Sequence, residues 1–168
     1  MLPLGAAKQN CMELERLDCV DLAILRALQE DGRLTTRQLA LRVHRSPTPV
    51  FERVKRLESE GYIRRYVAVL DADKLGQGFV VYCQVKLRYM NKDIAADFVR
   101  RIESIPEVTE CYNVSGAYDY LLKVHASSME TYRSFLMNQL GTIDSLGSVE
   151  SSFVMSEVKH EYSIPLQE

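Results

Sequence analysis

The chain has no run of eighteen consecutive apolar residues, so no membrane-spanning helix is expected. Its opening stretch, MLPLGAAKQNC, is too short and too weakly apolar for a secretory signal. A cytoplasmic location and a flexible tail over residues 1–14 are therefore expected. The four cysteines, Cys11, Cys19, Cys83 and Cys111, are scattered, with no C-x-x-C and no nearby histidine pair. Disulfide and metal sites need clustered ligands, so neither is expected. Cys83 and Cys111 lie in apolar runs, where a thiol behaves as a small hydrophobe. The chain also lacks G-x-S-x-G, a phosphate loop and H-E-x-x-H, and His44, His125 and His160 fall on three separate elements. No catalytic residue, metal or cofactor is assigned, and the chain is read as a non-enzyme.

What is present is an ordinary globular composition, 46% hydrophobic and 26% charged over 168 residues, long enough for one large domain or two small ones. The net charge of -2 conceals an asymmetry. Residues 33–66 carry nine Lys and Arg against three Asp and Glu, whereas residues 71–168 carry nine against fourteen. A basic concentration of this kind is an electrostatic footprint for a polyanion, with a solvated basic face as the plainer alternative.

That basic stretch lies in a helical half. Leu17, Val20 (or Asp21), Ile24, Leu25 and Leu28 form a 3.6-residue stripe, and Asp31-Gly32 stops it. A short second helix begins at Thr35, with Gln38 as its capping-box partner, and ends near Val43. His44-Arg45 makes a tight turn. Ser46 is expected to cap a third helix with its side chain, with Pro47 and Pro49 in the first turn, where missing N–H groups cost little. Gly61 ends it. Val50, Val54 and Leu57 share one face, and Thr48, Glu52, Lys55, Arg56 and Ser59 the other. A short helix, a tight turn and a basic third helix make a helix-turn-helix, whose third helix suits a DNA major groove. Residues 62–71, YIRRYVAVLD, read as a strand.

The other half has period two. In FVVYCQVKLRY (79–89), Val81, Cys83, Val85 and Leu87 share a face. A helix over 94–105 follows, then strands at 108–115 and 120–126 around the turn GAYD, a helix over 129–140, and a last strand at 148–159. The order predicts a ferredoxin-like βαββαβ sandwich with two helices on one face of an antiparallel sheet. The fold class is α+β: a helix-turn-helix (winged-helix-like) domain over 15–69, a linker over 70–78, and the sandwich over 79–168.

With both halves assigned, the chain resembles the Lrp/AsnC family of transcription regulators. The resemblance is carried by LDCVDLAILRALQEDGR (17–33), SPTPVFERVKRLESEGYI (46–63), LDADKLG (70–76) and NVSGAYDYLLKV (113–124), with a weaker match at VMSEVK (154–159). It implies a homodimer assembling to higher oligomers, often octamers, that binds double-stranded DNA. It also implies a small amino-acid effector, leucine or another apolar one, held between dimers near SGAYD. The implied effector residues are Asn113, Gly116, Ala117, Tyr118 and Asp119, with Met129, Ser151, Ser152 and Phe153 from neighbouring subunits. Gly116 would admit the ligand carboxylate to backbone amides, and Asp119 would pair with its ammonium group.

For DNA, Thr48, Glu52, Lys55 and Arg56 are expected to face the groove. Ser46 stands at the helix start, and Arg37, Arg45, Arg53 and Arg64 are candidates for phosphate. Arg53 lies nearest the buried face and is open to pairing with an acid instead. Three departures from the family pattern stand out. His44 replaces a turn glycine and is expected to be left-handed, Arg45 replaces a core residue, and GTIDSLGS (141–148) lacks a Pro-Gly-Val ending. Two rival readings remain from sequence. An RNA-recognition sandwich would need stacking aromatics where YLLKVHA is aliphatic. A stand-alone amino-acid-sensing module would use its helical half to bind protein.

Overall fold

The structure, a computed structural model, describes residues 17–166; the tail expected over 1–14 lies outside the described residues. The described chain divides into two compact units, residues 17–69 with 160–166, and residues 70–159.

The first unit holds α1 (Cys19–Glu30), α2 (Thr36–Arg42) and α3 (Pro47–Ser59). Helix α1 starts with a reciprocal cap: the Asp18 carboxylate accepts from the amides of Val20 and Asp21, and Asp21 accepts from the Asp18 amide. Thr35 and Gln38 form the same box on α2, as the sequence predicts. Helix α3 differs from expectation. Ser46 has the extended backbone of a cap, yet its side chain makes no capping hydrogen bond. The third helical residue is Pro49, which has no amide to donate, so one of the two usual donors is missing. His44 is left-handed at φ 51°, and Gly61 leaves the helix at φ 80°. Ile24, Leu39, Val50 and Leu57 fill the core, each 0–2% exposed. Burying a side chain of this size contributes about 1.5–3 kcal/mol.

One expectation about the end of this unit is corrected. Residues 62–71 are not a strand. A strand needs a ladder partner for its amides and carbonyls, and the described chain supplies none there, although Tyr66, Val67, Val69 and Leu70 are 48–69% exposed. Residues 160–166 group in space with the helices. The Gln29 side chain exchanges hydrogen bonds with both backbone groups of Ile164, at 2.7 and 3.3 Å, and Arg26 donates to the Leu166 carbonyl.

The second unit runs β1 (Phe79–Leu87), α4 (Lys92–Glu103), β2 (Val108–Asn113), β3 (Tyr120–Ala126), α5 (Met129–Asn138), a 3-10 turn (Leu140–Thr142) and β4 (Leu146–Phe153). All pairings are antiparallel and the sheet order is β2-β3-β1-β4, the ferredoxin-like arrangement. Val81 opposite Val124 and Cys83 opposite Leu122 place one alternating set on the helix side. There Phe98 and Ile102 of α4 and Tyr132 and Phe135 of α5 close the core. β4 ends at Phe153, so residues 154–159 are not strand as expected. Cys83 is buried, but Cys111 is exposed at the β2 edge rather than serving the core.

Candidate nucleic-acid interface and effector site

In the helix-turn-helix, Asp21 is the organising charge. It is 1% exposed, and α1 aims it at two arginines of α3. Arg53 Nη1 donates to Asp21 Oδ1 at 2.7 Å, and Arg56 Nη2 donates to Asp21 Oδ2 at 2.6 Å. Arg53 Nη1 also meets Asp18 Oδ2 at 2.7 Å. Hydrogen bonds from Arg53 to Asp21 and then Asp18 raise the guanidinium above its already high value. Desolvation pushes the Asp18 carboxyl up, but the amides of Asp21 and Val20 and the Arg53 charge outweigh it, so the group sits below its usual value.

This corrects the reading of Arg56 as a groove-facing side chain. One edge of its guanidinium is bound to Asp21, and its Nε is enclosed with no hydrogen-bond partner. Arg53 takes the paired role left open for it. The clue in the sequence was an acid beside Val20 on the apolar stripe of α1, but its partners stand 32 and 35 residues away.

The remaining candidates are exposed. Ser46, Thr48, Glu52 and Lys55 lie on the outer side of α3, and Arg37 on α2, Arg45 at the turn and Arg64 beyond Gly61 are open to solvent. Arg45 donates to the His44 carbonyl at 3.0 Å and leaves the rest of its guanidinium in water. Phe51, absent from the sequence candidates, joins this surface at 45% exposure, with Lys55 Nζ 5.6 Å from its ring centroid. Tyr66 Oη donates to Glu58, and desolvation together with that carboxylate raises the phenol to about 12.

In the sandwich, the SGAYD turn is a built loop. Asp119 Oδ2 accepts the Leu87 amide at 2.8 Å, Asn113 Nδ2 donates to the Asp119 carbonyl at 2.8 Å, and Lys86 Nζ donates to the Ala117 carbonyl at 3.0 Å. Gly116 stands at φ 123°, where a side chain would be strained. The Tyr118 hydroxyl donates to Glu150.

The second group of effector candidates stands elsewhere. Ser151 accepts or donates a 2.5 Å hydrogen bond with Tyr132, which in turn meets the Cys83 thiol at 3.0 Å. Phe153 packs on Phe79 and Tyr132 at 5.8 and 5.6 Å, Ser152 points outward, and Met129 opens α5 at 53% exposure. Phe153 pairs with Val81 and Asp119 with the Leu87 amide, six β1 residues apart. At about 3.3 Å per residue, roughly 20 Å separates them, more than a small amino acid spans. Asp119 and Phe153 therefore lie toward opposite ends of the sheet in one chain, whereas Tyr118, through Glu150, reaches the residue next to Ser151.

A helix-turn-helix with a basic outer face, followed by a ferredoxin-like domain carrying a preformed loop, defines a one-chain regulator with a DNA-binding half and a ligand-binding half. Comparison with known proteins makes the assignment specific. Residues 17–64 match the model for winged helix-turn-helix DNA-binding, and residues 80–164 match the model for the Lrp/AsnC ligand binding domain. The chain belongs to the Lrp/AsnC family of transcription regulators. It is 39% identical over 153 residues to the Bkd operon transcriptional regulator of Pseudomonas aeruginosa, covering 91% of this chain and 100% of that protein. It is 38% identical over 143 residues to the leucine-responsive regulatory protein of Escherichia coli, covering 85% and 87%. Among solved structures, a Neisseria meningitidis transcriptional regulator in complex with L-Met superposes with a TM-score of 0.85 at 37% identity, covering 89% of this chain and 96% of that one.

Proposed function

We propose that the protein binds double-stranded DNA through α3 and responds to an apolar amino acid held between its dimers, so regulating genes of amino-acid metabolism. It acts as a regulator rather than a catalyst, in the cytoplasm. The exposed row Thr48, Glu52 and Lys55, at the start of a helix clamped from behind by Asp21, supports the DNA half most directly. In a major groove a threonine hydroxyl bonds several bases, a glutamate accepts from cytosine N4, and a lysine reaches guanine O6 and N7. Arg37, Arg45 and Arg64, with the Ser46 hydroxyl, are the phosphate contacts that set register. Arg53 and Arg56 hold the helix.

The roughly 20 Å between Asp119 and Phe153 supports an effector site completed by a second chain. Asn113, Gly116, Ala117, Tyr118 and Asp119 from one subunit take the amino acid's charged end. Met129, Ser151, Ser152 and Phe153 from a neighbour take its side chain, for which leucine or methionine is a fitting size. Homodimers then assemble further, up to an octamer, and ligand at the seam changes that assembly. A coupling of about 1–3 kcal/mol between ligand and DNA is the usual scale.

The test is a thermal-shift panel of the twenty amino acids, with light scattering on each hit. Ligand at a hundred times its dissociation constant stabilises by about 2.7 kcal/mol. A hit lost in Asp119→Ala supports the reading; no hit in a sample that binds DNA sinks its effector half.

A further inference from the structure

With Arg53 and Arg56 bound to Asp21, the outer side of α3 is reduced to few groups near its start, and one of them is apolar. Phe51 is the fifth residue of α3, within its first turn and a half, the part of a recognition helix that meets base edges. Val50 beside it and Leu57 are 0% exposed and complete the core without it. Phe51 instead keeps 45% of its surface in water, next to Thr48 and Lys55 at three- and four-residue spacing. Lys55 Nζ, 5.6 Å from the ring centroid, keeps a cation beside this aromatic and suits a polyanion rather than an apolar protein partner.

We propose that Phe51 is a specificity-determining residue that reads thymine, by packing its ring on the 5-methyl group in the major groove. The inference rests on α3 being the groove helix. Thymine alone offers an apolar group in that groove, whereas cytosine presents an N4 amine and the purines present N7 with O6 or N6. A phenyl ring answers none of those polar groups, so a wrong base is left desolvated and unpaired against it.

The experiment selects duplexes from a random library with the full-length protein, then replaces each thymine of the selected site by deoxyuridine, which removes only the methyl. At one position per half-site, loss of a buried methyl is expected to weaken binding about fourfold. Phe51→Ala, checked for an unchanged melting curve, is expected to bind thymine and uracil duplexes equally at that position. Phe51→Leu is expected to keep the preference. A selected site with no uracil-sensitive thymine, or a Phe51→Ala protein that still distinguishes the two, overturns the assignment while leaving DNA binding intact. Failure to enrich any duplex overturns the groove-helix reading and this inference with it.

Discussion

Replacing Asp21 with asparagine removes one charge and almost no volume, and so isolates what the clamp contributes. In the native unit Asp21 is 1% exposed and receives Arg53 at 2.7 Å, Arg56 at 2.6 Å and the Asp18 amide at 3.1 Å. Breaking a fully buried pair costs about 3–5 kcal/mol, because the orphaned partner stays desolvated. Here the two arginine side chains are 31% and 41% exposed, so both swing into water when released. Asparagine keeps one acceptor oxygen, so the penalty falls toward the loss of one charge-assisted hydrogen bond, about 1.5–3 kcal/mol for the variant. The surface pair Glu30–Arg42, with side chains 66% and 47% exposed, is the internal control. Arg42→Ala is expected to cost no more than about 0.5 kcal/mol. Urea unfolding followed by circular dichroism separates the two variants. DNA binding supplies an independent readout. Arginines already neutralised by Asp21 release few counterions from DNA, so Arg53→Ala leaves the slope of log affinity against log salt nearly unchanged. Asp21→Asn steepens that slope by freeing cations. An Asp21→Asn protein as stable as wild type, or an Arg53→Ala protein whose slope drops by a full phosphate contact, would refute the clamp.

Other consequences are simpler to read. Phe98, 0% exposed and 4.6 Å from the Tyr120 ring, is expected to cost about 3–5 kcal/mol as Phe98→Ala, measured by the urea midpoint of the sandwich. Asp18 binds protons less readily folded than unfolded. Its stabilising contribution is therefore complete above the ordinary value of 3.8 and is lost as pH falls below it through the lower folded value, visible as a falling melting temperature of the helical unit. Cys83 is buried, and desolvation raises its thiol despite the Tyr132 and Ser151 hydroxyls. Desolvation and Glu103 also raise the exposed Cys111 thiol, so peptide mapping after alkylation at pH 8 is expected to find Cys19 labelled first, Cys111 more slowly, and Cys83 only after denaturation.

The sequence was most legible where structure is local. The Thr35–Gln38 box, the left-handed His44, the Gly61 exit and the alternation Val81, Cys83, Val85, Leu87 all depend on neighbours within a few residues, and all are present. The misreadings have distant or missing partners as their cause. Residues 62–71 have strand-forming residue types but no ladder partner in the described chain. Arg56 looked free because Asp21 lies 35 residues away, across a helix packing that no periodicity reveals. Ser46 is a cap by residue type, but Pro49 offers it no third-residue amide. For the effector residues, sequence order sets SGAYD before Ser151–Phe153, but only the sheet register puts Asp119 and Phe153 toward opposite ends and brings Tyr118 to Glu150 beside Ser151.

DNA binding and ligand sensing meet in one quantity, the affinity for a library-selected duplex in excess competitor DNA, with and without the amino acid that stabilises the protein. Specific binding is expected, shifted by the ligand about 5–150-fold in either direction, with the shift lost in Asp119→Ala. A protein that stably binds an amino acid but prefers no duplex at any salt concentration, or whose DNA affinity ignores the ligand, would contradict the proposed function.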